Sequence, residues 1–110
     1  MELTAANFQR IKSFILRHGD RQTYCNMYNR NPHYDFGAFQ VYLDPDVGQQ
    51  NINCDPELSD FSTLVVQDWK ARAIYVRWSV DGERMHFNGS RGALTQYVRS
   101  MLERVQQVEP

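Results

Sequence analysis

The stretch AIYVRWSVDGERMHFNG (73–89) constrains the fold more than any other part of the chain. Its apolar residues alternate on both sides of an Asp-Gly pair, and alternation of that kind is the signature of a β-hairpin with one buried face. Asp81-Gly82 is a preferred pair for the two central positions of a type I′ turn, whose positive φ angles match the twist of the flanking strands. That turn pairs Val80 with Glu83, Trp78 with Met85 and Val76 with Phe87. Ile74, Val76, Trp78, Met85 and Phe87 then share an apolar face. The opposite face carries Tyr75, Arg77, Arg84 and His86, with Arg77 directly across from His86.

The hairpin leads straight into a helix. From Ser90, a natural N-cap, the residues Leu94, Tyr97, Val98, Met101, Leu102 and Val105 recur at helical spacing and predict a core-facing amphipathic helix. The tail QQVEP is expected to fray. A second amphipathic helix is predicted over 4–18, where Phe8, Ile11, Phe14 and Ile15 mark one face, Thr4 caps the start and Gly19 stops the end. His18 in its last turn complements the helix dipole.

Between the helices the pattern is that of strands and loops. Phe39, Val41 and Leu43 alternate with Ala38, Gln40 and Tyr42 as a half-buried strand, ended by Asp44-Pro45-Asp46. Residues 22–28 read as an edge strand. Asp55-Pro56-Glu57 is a helix-start signal, after which Leu58, Phe61 and Val65 keep helical spacing while STLVV is β-branched. A short helical turn followed by a strand is the reading adopted, with one long helix to Trp69 as its alternative. These elements assemble into an α+β domain: an antiparallel sheet of four or five strands with the N-terminal and C-terminal helices on its apolar face.

A chain of 110 residues, 42% apolar and 23% charged, suits one globular domain covering 1–110. It shows no export signal and no apolar run of membrane-spanning length, and its two cysteines, Cys25 and Cys54, are too few for a disulfide framework. A cytoplasmic protein with reduced thiols is expected. The net charge of -1 is unevenly spread: residues 1–34 carry five Lys/Arg and two acids, 35–68 carry seven acids and no Lys/Arg, and 69–110 carry seven Lys/Arg and four acids.

Catalytic and metal chemistry find little foothold in this sequence. There is no CxxC, HxxxH, EF-hand loop, nucleophile elbow or phosphate-binding glycine loop, so neither a cofactor nor a metal is expected. Cys25 with a histidine and Asp35 lacks any supporting signature, and a small enzyme ranks third among the functional readings.

Three surfaces are candidates for binding. NMYNRNPHYDFG (26–37) combines rigid rings with Asn and Arg, a mix suited to protein recognition, and offers Tyr28, Arg30, His33, Tyr34, Asp35 and Phe36 as contacts. Its competing interpretation is a packed aromatic loop. The acidic middle offers Asp44, Asp46, Asp55 and Asp60 to a basic partner. The wet sheet face, with Tyr75, Arg77 and His86, is the kind of platform on which bases stack, although a pI near 6.3 opposes phosphate binding. The leading expectation is a small cofactor-free interaction protein that binds and inhibits or regulates a protein partner, of the type encoded by phages or mobile elements or acting as toxin immunity. A nucleic-acid-binding module is the alternative.

Overall fold

The computed structural model of the chain describes residues 2–20, 32–45, 61–71, 74–82 and 84–110, apart from the side chains of 45, 74 and 75. In chain order the elements are α1 (Ala5–His18), β1 (His33–Asp35), β2 (Gln40–Pro45), β3 (Phe61–Asp68), β4 (Ile74–Asp81), β5 (Arg84–Asn88) and α2 (Arg91–Val108). The five strands form one antiparallel sheet in the order β1-β2-β3-β4-β5, so each strand pairs with its neighbour in sequence. The expected strand over 22–28 and the helix start at 55–57 lie outside the described residues. STLVV is strand, as β-branching favours, and the alternative of one long helix to Trp69 is excluded.

Both helices begin as their sequences dictate. The Thr4 hydroxyl accepts the Asn7 N–H at 3.1 Å, and the Ser90 hydroxyl accepts that of Ala93 at 3.2 Å. Phe8, Ile11, Phe14 and Ile15 of α1 and Leu94, Val98, Met101 and Val105 of α2 are buried against Val41, Leu43, Leu64, Val66, Val76 and Trp78 of the sheet. Trp78 is fully buried and meets the Phe8 ring edge to face, with centroids 5.2 Å apart at 81°. Ion pairs from Glu2 to Arg99 and from Arg17 to Glu109 join successive points along the two helices, which therefore run in the same sense.

Several expectations are corrected by the backbone. The hairpin pairs Asp81 with Arg84, Val80 with Met85, Ser79 with His86, Trp78 with Phe87 and Arg77 with Asn88, so the loop is Gly82-Glu83 and not Asp81-Gly82. The reason is conformational: the first loop position of either primed turn needs positive φ, and Gly82 takes it at +62° without the strain Asp81 would incur. The shift keeps the parity of each strand, so the apolar face survives while the cross-strand neighbours change. Arg77 thus faces Asn88, and His86 faces Ser79.

Gly19 ends α1 with φ at -77°, not in the left-handed region. Its lack of a side chain serves close packing, since a Cβ there would lie 2.5 Å from the carbonyl oxygens of His33 and Ile15. The register shifts between Asp44 and Pro45 in β2, where proline withholds a ladder donor, and beyond that shift Phe61 is turned into the core. At the far end, α2 continues through Val108 instead of fraying at Gln106. Glu109 follows, held by Arg17 and His18, each at 2.6 Å.

Candidate functional site

The side of the sheet turned away from the helices is built by register alone. Because side chains alternate, the residues between the core positions of neighbouring strands line up in rows across the sheet. One row runs His33, Tyr42, Val65, Arg77, Asn88; a second runs Asp44, Thr63, Ser79, His86; a third runs Asp35, Gln40, Gln67 and the backbone position of Tyr75. The sheet thereby gathers members of all three surfaces suggested by the sequence: His33 and Asp35 from the aromatic segment, Asp44 from the acidic stretch, and Arg77 and His86 from the hairpin.

Contacts within the rows fix several of these groups. The His33 ring stacks on Tyr42 with centroids 5.4 Å apart, and the Tyr42 hydroxyl donates to Gln40 Oε1 at 3.0 Å. Thr63 and Ser79 share a hydroxyl hydrogen bond of 2.8 Å. Arg77 Nη2 lies 3.9 Å from Asp44 Oδ2, and its side chain is 47% exposed, so the pair is a solvent-screened one. Val65 stands on this side of the sheet but is only 2% exposed, so it offers a partner almost no surface. Asp35, Arg84, His86 and Asn88 are exposed around it.

The aromatic segment is divided by its strand. His33 and Asp35 take the polar side, whereas Tyr34 packs on Phe14 at 4.9 Å and Phe36, 9% exposed, packs among Phe14, Tyr34 and Phe39. Phe36 is therefore a core residue with little surface to offer a partner, and Tyr34 is mostly committed to the same cluster. Tyr28 and Arg30 lie outside the described residues, as do Asp46, Asp55 and Asp60. For Tyr75 only the backbone place in β4 is described.

Beyond the third row, the turn after β3 presents a residue that the sequence pattern does not single out. Trp69 is 65% exposed. Asp68 Oδ1 accepts the N–H groups of Lys70 and Ala71, both at 3.1 Å, and its Oδ2 accepts the Tyr97 hydroxyl at 2.8 Å. The Tyr97 hydrogen bond, reinforced by these N–H groups, holds the Asp68 carboxyl below its usual range. The only trace of this in the sequence is an Asp at the end of a β-branched run, a common turn former.

The second row does not assemble a Ser-His-Asp arrangement. Ser79 neighbours His86, but Asp44 stands at the other end of that row, three strand spacings or roughly 14 Å from the imidazole, too far to orient it. Among the described residues no three of His, Cys, Asp and Glu converge as metal ligands. No helix among them is long and apolar enough to cross a membrane. Neither a protein-family model, nor a curated protein, nor a solved structure matches the chain.

Proposed function

We propose that this chain is a binding module that engages and regulates a protein partner through the sheet face opposite its helices, with Trp69 as an anchor at one end. The observation that carries the reading is the register, which brings His33, Asp35, Asp44, Arg77 and His86 onto one surface around Tyr42. Its charge is mixed: Arg77 and Arg84 are balanced by Asp35 and Asp44, and Asp44 lies beside Arg77. A phosphate-binding platform needs an excess of cations, while protein interfaces accommodate charges of both signs. An exposed tryptophan on a hydrogen-bonded turn has the character of an interface hot spot, since the backbone that carries the ring is already ordered before association.

The reading is tested by capture from the native host with tagged protein carrying Arg77→Glu or Trp69→Ala, beside Arg104→Ala on the exposed side of α2. A co-purifying protein should be retained by the wild type and Arg104→Ala and lost with the other two. Equal recovery with all four, at equal folded content, contradicts the proposal. Recovery of nuclease-sensitive material that Arg77→Glu abolishes would favour a nucleic-acid module.

A further inference from the structure

The two edges of the sheet are finished differently. Strand β1 is three residues long, and its outward backbone groups at His33 are used: Asp20 N–H donates to the His33 carbonyl at 2.8 Å and His33 N–H to the Asp20 carbonyl at 3.0 Å. Strand β5, at the other edge, has five residues, and among the described residues nothing pairs with its outer side.

The groups of β5 that have no partner among the described residues follow from its turn. Asp81 and Arg84 flank a two-residue loop, so they form a hydrogen-bonded pair, and such pairs alternate with non-bonded ones along an antiparallel ladder. Arg84, His86 and Asn88 therefore direct their N–H and C=O groups toward β4. Met85 and Phe87 direct theirs away from the sheet. The same residues bear the apolar side chains of the strand, both half-buried on the helix side, with the Arg91 guanidinium 4.5 Å from the centre of the Phe87 ring. An unpaired edge of this kind is a template for another strand.

We infer that β5 is a self-association edge, occupied by β5 of a second copy of this chain in antiparallel register about a two-fold axis at His86. That register maps the strand onto itself, with His86 opposite His86 of the second copy on the polar side. It sets Met85 opposite Phe87 of the second copy, and the reverse, so that each of these pairs exchanges its N–H···O bonds and joins an apolar side chain to an apolar side chain. It sets Arg84 opposite Asn88 of the second copy, so no arginine faces an arginine. The contact is small, which makes the dimer weak and concentration-dependent. This inference goes beyond the partner-binding reading and does not depend on it.

Sedimentation equilibrium over roughly 10 µM to 1 mM protein tests it. The apparent mass should climb from the 13.0 kDa of one chain toward twice that value. Met85→Pro removes an outward N–H together with a half-buried side chain and leaves the ladder to β4 intact, and it should raise the dissociation constant about tenfold or more. Asn88→Asp, which would face Arg84 of the second copy, should tighten the dimer, and Asn88→Arg should loosen it; both changes are on an exposed residue. If Met85→Pro melts abnormally, the opposed effects at position 88 decide alone. A monomer at every concentration, or self-association indifferent to both positions, overturns the inference.

Discussion

The hydroxyl of Tyr97 donates to Asp68 Oδ2 at 2.8 Å and thereby fastens helix α2 to the turn that presents Trp69. Burial of the phenol, together with that carboxylate, pushes its pKa up to about 12 from 10.0. The stability it contributes is complete below pH 10 and is lost as the pH rises through about 12. Tyr97→Phe should lower stability by about 1 kcal/mol in urea titration at neutral pH and flatten the alkaline loss.

Trp78 gives the largest expected effect in the core. Trp78→Ala should cost about 3–5 kcal/mol through the cavity it leaves beneath Phe8, whereas exposed His86→Ala should change stability by less than about 0.5 kcal/mol. Denaturant melts of the two variants check which side of β4 faces the helices.

Glu109 ties the ends of the two helices together, and acid should release it. Its hydrogen bonds from Arg17 and His18 lower its pKa to about 2 from 4.5, so its contribution is present above pH 4.5 and disappears as the pH falls through about 2. Glu109→Gln should reduce the pH dependence of the unfolding free energy in that interval. Because the Glu109 side chain is only half-buried and Arg17 is exposed, added salt should weaken the effect as well.

Gly19→Ala probes the close approach of α1 to β1. The new methyl would meet backbone oxygens that cannot swing aside, and the expected loss is about 1–3 kcal/mol by overpacking. Circular dichroism melts should show it, with the exposed Gly92→Ala on α2 as a control whose added Cβ meets only the Ser90 hydroxyl, at 3.7 Å.

The legible parts of this fold are those whose information is local. Capped helices with an unbroken apolar stripe, and a hairpin with alternation on both sides of its turn, state their own structure, which is why α1, α2, β4 and β5 follow from the residues. The turn lies one residue further on than Asp-Gly suggests, because that pair fits the loop in more than one frame and only the side-chain parity is encoded. Strand β1 is too short to show a period: only three residues pair before the turn in which Asp35 Oδ1 accepts the Gly37 N–H at 2.8 Å, and the inward places of Tyr34 and Phe36 emerge only once β1 is set against β2. The polar face was legible only in fragments. His33, Asp44 and Arg77 belong to strands whose mutual order arises from long-range pairing, and no local pattern announces that they meet.

The most direct test of the partner-binding account places a photo-crosslinking amino acid at position 86 on the polar sheet face, at 69 in the turn and at 103 on the exposed side of α2, and irradiates each folded protein in a lysate of its native host. Partner binding through this face should give protease-sensitive adducts of the same mass from positions 86 and 69 and none from 103. Adducts from 103 alone, or nuclease-sensitive adducts from 86, would contradict it.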